Sequence, residues 1–131
     1  MSQRHGDTEK IDKLSTQVIG ASIDVHKTLG PGLLESVYQK CLAYELTERG
    51  LAFSSEQHLP IKYKSLTFND AYRTDFIIND CLIVELKAVE AILPLHKAQL
   101  LSYLKLIGIK LGLLINFNVP VLKQGISRII N

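Results

Sequence analysis

The stretch Thr74-Asp75-Phe76-Ile77-Ile78-Asn79-Asp80-Cys81-Leu82-Ile83-Val84-Glu85-Leu86-Lys87 sets the tightest limit on what this chain can fold into. Two apolar runs flank Asn79-Asp80, a dipeptide suited to a tight turn, so the segment reads as a β-hairpin. Its second strand, Leu82 to Lys87, is apolar enough to lie inside a sheet. Strand side chains alternate, which puts Glu85 and Lys87 on one face and Val84 and Leu86 on the other. Charges in such a strand are costly unless something compensates them. With Asp75 brought across the hairpin, two carboxylates and an ammonium group make a candidate hard-cation site beside a place for a phosphate-sized anion.

The rest of the chain supplies helices around this hairpin. Ile11, Leu14, Val18, Val25 and Leu29 recur at helical spacing, predicting a helix from about Thr8 to Leu29, with Asp7 or Thr8 as its cap. Residues 1–6 are expected to be a loose terminus. Gly30-Pro31-Gly32 ends the first helix. A second helix is expected from about Leu33 to Arg49, with Gly50 just past its end. Strands are expected at Phe53–Gln57, Leu59–Lys64 and Ala71–Ile78, before Leu82–Lys87. Pro94 opens a third helix to about Ile107, followed by strands at Leu113–Phe117 and Ile126–Ile130. No repeat or linker interrupts this order, so one α/β domain over residues 1–131 is expected, a mixed sheet flanked by helices.

The chain has 131 residues, 47% of them hydrophobic, as a globular fold requires. No apolar run reaches the length of a bilayer span and the N-terminus lacks a secretory core, so no membrane partner and a cytoplasmic location are expected. Cys41 and Cys81 show neither metal spacing nor a disulfide framework and read as small buried residues. The net charge of +2 is too small to announce a nucleic-acid binder. Its distribution says more: residues 86–131 carry 6 Lys/Arg against the single acid Glu90, while residues 1–85 carry 9 against 12 acids. That asymmetry suits a basic surface beside an acidic pocket, and equally a solvated surface with uneven spacing.

Phosphodiester hydrolysis needs an activated water, a neutralised phosphoryl group and a stabilised leaving oxygen. Carboxylate-held Mg²⁺ can serve all three, and Mg²⁺ needs only two or three protein carboxylates because it keeps several waters. A neighbouring lysine can orient the water or stabilise the transition-state charge. Asp75, Glu85 and Lys87 match that list. Glu35, in the first turn of the second helix, is the candidate further acid. Gln99 and Tyr103 share one face of the third helix, and Arg73 is a possible phosphate contact.

These residues resemble the active-site signature of the PD-(D/E)XK nuclease superfamily. The closer likeness is to its small GxxExxY branch, through Gly32-Leu33-Leu34-Glu35-Ser36-Val37-Tyr38. Tyr72-Arg73-Thr74-Asp75, Glu85-Leu86-Lys87, Gln99-Leu100-Leu101-Ser102-Tyr103-Leu104 and Gly112-Leu113-Leu114-Ile115-Asn116-Phe117 extend it over residues 14 to 130. Thr74 stands where the superfamily's name has proline, a common departure. The resemblance implies a restriction-endonuclease-like core and a Mg²⁺- or Mn²⁺-dependent nuclease, with DNA preferred to RNA. It also implies that Asp75, Glu85 and the main-chain carbonyl of Leu86 ligate the metal. Glu35 would be the extra acid and a further metal ligand, Lys87 would act on the water or phosphate, and Gln99 would be the polar residue following the core strands.

Other readings stay open at the level of sequence. Glu85 and Lys87 can form a structural ion pair, Asp75 can shape the hairpin, and Glu35 can serve the helix dipole. Gln99 and Tyr103 can be an ordinary helix face. Tyr38 reads as core, and His26, His58 and His96 lack ligand spacing. A non-catalytic module that keeps the fold and binds nucleic acid or protein is the alternative function. A cut through both strands of a duplex would call for a homodimer.

Overall fold

The computed structural model describes residues 2–131, with side chains described from Asp7 onward. The expected loose terminus over residues 1–6 therefore falls outside the fully described residues. Helix α1 spans Ser2–Leu29 and α2 spans Glu35–Glu48. Strands β1 (Phe53–Tyr63), β2 (Leu66–Ile78) and β3 (Leu82–Lys87) follow. Helix α3 (Pro94–Ile107), β4 (Leu111–Asn116), a 3-10 turn over Leu122–Gly125 and β5 (Ile126–Ile130) complete the chain. The five strands form one sheet in sequence order, β1-β2-β3-β4-β5. Only β3 and β4 run parallel, because α3 crosses over between them, and all other pairs are antiparallel. This is the mixed α/β sheet expected of a restriction-endonuclease-like core.

The alternation along β3 divides the molecule into two apolar layers. Leu82, Val84 and Leu86 point to the larger one, where α1 and α2 contribute Val18, Ala21, Val25, Tyr38, Leu42 and Leu46. Ile83 points to the smaller one, where α3 sets Leu100 and Leu104 against Leu114. Burying β3 on both faces explains its near-continuous apolar sequence. Glu85 and Lys87 share the face of Ile83, so they emerge beside α3.

The Gly30-Pro31-Gly32 turn sets where α2 begins and which way it points. Gly30 and Gly32 have φ of +69° and +98°, values that a β-carbon disfavours. The Tyr38 hydroxyl donates to the Gly30 carbonyl at 2.6 Å and accepts the Leu33 N–H at 3.1 Å. The Tyr38 ring stacks on Phe117, centroids 4.5 Å apart. Tyr38 is thus core, and its one polar atom pins the turn.

Gly125 shows how closely the end of β4 is packed. A β-carbon there would stand 2.1 Å from the Asn116 carbonyl oxygen. Asn116 is itself fixed, its side-chain amide accepting the Val89 N–H and donating to the Val89 carbonyl. Neither backbone can yield cheaply, so Gly125→Ala should lower the unfolding free energy by about 3 kcal/mol. A urea denaturation midpoint equal to wild type would contradict that close approach.

Several expected boundaries move. The strands expected at Phe53–Gln57 and Leu59–Lys64 are one strand, β1, whose register against β2 shifts between Leu59 and Ile61. Pro60 sits at that shift, where its missing N–H breaks no ladder bond. β2 begins at Leu66 rather than Ala71, because its first half is solvated and shows no alternation of burial. Helix α1 starts before Asp7 and Thr8, so neither stands at its start. Helix α2 begins at Glu35 rather than Leu33, since the pinned turn runs on to Leu34. Cys41 and Cys81 are half-buried rather than fully buried, each lining a surface cleft.

Candidate active site

The β2–β3 ladder pairs Ile78 with Leu82, Ile77 with Ile83 and Phe76 with Val84, and stops there. The next position would set Asp75 opposite Glu85. Instead the two side chains take over the bonding. The Leu86 N–H donates to Asp75 Oδ2 at 2.8 Å, and the Asp75 N–H donates to Glu85 Oε1 at 3.3 Å. The strands fork at this point, and both carboxylates lie in the fork. One fewer pair of main-chain bonds is the geometric condition for two acids to meet.

A cavity of about 190 Å³ opens over the fork. Glu35, Arg73, Asp75, Glu85, Lys87 and Gln99 all line it. The elements that deliver them are distinct: the first turn of α2, the fork of β2 and β3, and the first half of α3. Tyr103 does not line it but stacks on Tyr72, which does, with the rings inclined by 11°. Leu86 places its side chain in the opposite apolar layer and offers this site only main-chain atoms. A larger cleft of about 420 Å³ near His26, Pro31 and Lys123 has no carboxylate in its lining. His26 belongs there, its Nε2 bonded to the Val119 carbonyl at 2.8 Å.

The electrostatics are those of acids held where ionisation is unfavourable. Burial and the charge of Asp75 push Glu85 up to about 8, although hydrogen bonds from Tyr72 and from the Asp75 N–H, and the charge of Lys87, pull the other way. Burial also raises Asp75, offset by the Leu86 N–H and by Lys87. Glu35 is raised by burial and then by Asp75, with Lys87 opposing. Lys87 is the ammonium group that relieves all three acids. A group of carboxylates destabilised in this way is what a bound cation would relieve.

The donor set fits a hard divalent ion. Asp75 and Glu85 offer oxygen, the ligand type that Mg²⁺ and Mn²⁺ prefer, and no thiol lines the cavity. Among the described residues, no three of His, Cys, Asp and Glu converge closely enough to hold a metal by themselves. Glu35 therefore shares the cavity with Asp75 and Glu85 without closing a three-carboxylate cage. Two protein carboxylates are compatible with an octahedral ion that retains its waters.

Two polar lining residues carry no role in the sequence reading. Tyr72 donates its hydroxyl to Glu85 Oε1 in a short hydrogen bond, and burial followed by the charge of Glu85 pushes that hydroxyl upward. It lies three residues from Asp75, so strand alternation assigns it to the opposite face. Its ring nevertheless reaches Tyr103 of α3 and its hydroxyl reaches Glu85, on the face of Asp75. His96 lines the cavity and accepts the Leu93 N–H on Nδ1 at 3.0 Å, which caps α3. Helical spacing could have found it, since it lies three residues before Gln99 on the same face.

A family model described as the PD-(D/E)XK nuclease superfamily matches residues 12–129, nearly the whole chain. No curated protein and no solved structure gives a match. Among the described residues, no helix is long and apolar enough to cross a membrane.

Proposed function

Since the chain belongs to the PD-(D/E)XK nuclease superfamily, we propose that it is a Mg²⁺- or Mn²⁺-dependent nuclease of the small GxxExxY branch, acting on DNA. Members of the superfamily generally use divalent metal ions, which supports the cofactor class. The observation that carries the reading is the meeting of Asp75 and Glu85 in the β2–β3 fork, with Lys87 in the same cavity.

In this reading Asp75, Glu85 and the Leu86 carbonyl hold the metal. When bound, the ion supplies a nucleophilic water and charge neutralisation at the phosphoryl group. The protein's own part is placement. The Leu86 N–H fixes one oxygen of Asp75, and the hydroxyl of Tyr72 fixes one oxygen of Glu85, so both carboxylates are aimed before substrate arrives. Lys87 orients the attacking water or meets the charge that builds on phosphorus. Glu35 faces the same cavity from α2 as the further acid. Gln99 and Arg73 contact the substrate's phosphates, and Tyr103 backs Tyr72.

The test is cleavage of single- and double-stranded DNA and RNA with Mg²⁺, Mn²⁺ or EDTA. DNA should be cut with either metal and spared in EDTA. Binding of nucleic acid without turnover in any metal would favour the non-catalytic module instead.

A further inference from the structure

Beyond the fork, β1 and β2 continue together without a third strand. β2 pairs with β3 only through Phe76, Ile77 and Ile78, whereas it pairs with β1 from Ile78 back to Leu66. The part from Gln57/Thr74 to Tyr63/Leu66 is therefore a two-stranded ribbon, about 20 Å long at 3.3 Å per residue, held at its root where Tyr72 stacks on Tyr103 and largely exposed at its tip beyond Pro60. An isolated ribbon of this kind is marginal in water. A ribbon that nonetheless shows large apolar side chains to solvent marks a contact surface.

The tip has the right side chains for one partner. Ile61 pairs with Phe68 and Tyr63 with Leu66, so all four share a face. Tyr63, Leu66 and Phe68 are 60%, 54% and 49% exposed. Lys62 stands on the outer strand and Lys64 in the turn, with Lys64 Nζ 5.4 Å from the Tyr63 ring centre. No acid occurs between Pro60 and Asn69. The root of the ribbon is the site itself, where Arg73 and Tyr72, two and three residues from Asp75, line the cavity.

We propose that the β1–β2 ribbon is an arm for duplex DNA, laying Ile61, Tyr63, Leu66 and Phe68 into a groove while Lys62 and Lys64 meet the flanking phosphates. This rests on the nuclease reading of the site at the ribbon's root. A two-stranded ribbon fits the major groove, and apolar side chains contact base edges or wedge between steps. A second copy of the chain could also cover an apolar face with open edges. Two lysines and no acid at the tip make that pairing self-repulsive, whereas they complement a polyanion.

The experiment measures binding of the full chain to a fluorescent 30-base-pair duplex in EDTA, where no cleavage occurs. Lys62→Gln/Lys64→Gln should weaken binding about tenfold or more at 0.1 M salt and reduce the slope of log K against log salt by about 2. Tyr63→Ser/Leu66→Ser/Phe68→Ser should weaken binding by a similar factor with the slope unchanged. Light scattering on the wild type should give the same mass as on the apolar triple variant. Unchanged duplex affinity in both variants, or no duplex binding by the wild type, overturns the proposal. So does a wild-type dimer that the triple variant dissociates, since the arm would then serve self-association. Hydrolysis of bis(p-nitrophenyl) phosphate with Mn²⁺ separates the two readings. Arm variants should match the wild type there, and a wild type inactive on every phosphodiester would sink the nuclease reading while the EDTA measurement still judges the arm.

Discussion

Glu85→Gln is expected to reduce DNA cleavage by about 10³-fold or more, roughly 4 kcal/mol of lost transition-state stabilisation, while making the metal-free protein more stable in alkaline solution. Both effects come from one environment. Glu85 is buried in the fork next to Asp75, which raises its ionisation to about 8 from an ordinary value of 4.5. A carboxyl group whose folded value is raised contributes stability that is fully present below about 4.5. That contribution is lost as pH climbs through about 8. Glutamine keeps the shape and can still accept the Tyr72 hydroxyl and the Asp75 N–H, yet it never ionises. In EDTA at pH 9 the variant should therefore melt higher than wild type, by about 4 °C. Near pH 4.5 the two should coincide. Adding Mn²⁺ at pH 9 should raise the wild-type melting temperature and leave the variant where it was. A variant that melts lower than wild type at pH 9 in EDTA would mean that Glu85 is a structural partner rather than an acid held at a cost.

Lys87→Met is expected to lose cleavage by about 10²- to 10³-fold, the range found when one transition-state donor is removed, with metal binding intact. Lys87 shares the cavity with three acids and lowers the ionisation of each. Without it, Glu35, Asp75 and Glu85 all hold their protons to higher pH. Calorimetric Mn²⁺ binding then feels two opposed effects. Removing a cation from the pocket strengthens the attraction for Mn²⁺, while the retained protons compete with it at neutral pH. At pH 9, where the competition fades, the variant should bind Mn²⁺ at least as tightly as wild type. Loss of Mn²⁺ affinity at that pH together with loss of cleavage would assign Lys87 to holding the site together instead of to the reaction.

Much of the architecture can be read from residue order because a few segments carry strong constraints. β3 is buried on both faces, and only a central strand tolerates Leu82-Ile83-Val84 followed by alternating charge. The Asn79-Asp80 turn is legible for the same local reason, and both residues adopt positive φ. The GxxExxY motif likewise divides into physical parts. Gly32 makes the turn, Tyr38 pins it, and Glu35 is carried to the cavity on the first turn of α2.

What escaped the sequence has equally local causes. The ribbon half of β2 is solvated on most of its positions, so it lacks the alternation that identifies a strand, and Leu66–Asp70 pass for a loop. The register shift at Pro60 divides β1 into two apparent strands. Tyr72 is hidden by a parity rule that its side chain does not obey: three residues from Asp75, it still stacks on Tyr103 of α3. Its place in the site becomes visible only in the structure, through its hydroxyl's bond to Glu85. For His96 only the cap escapes: its spacing to Gln99 points to the cavity, whereas its bond from the Leu93 N–H carries no signature in the sequence.

The most direct test is a crystal soaked in Mn²⁺ and measured at the manganese absorption edge. One anomalous peak should stand in the β2–β3 fork, within coordinating distance of an oxygen of Asp75 and an oxygen of Glu85. A peak bound elsewhere, or carboxylates that stay bonded only to each other's strands and to Tyr72 at saturating Mn²⁺, would contradict it.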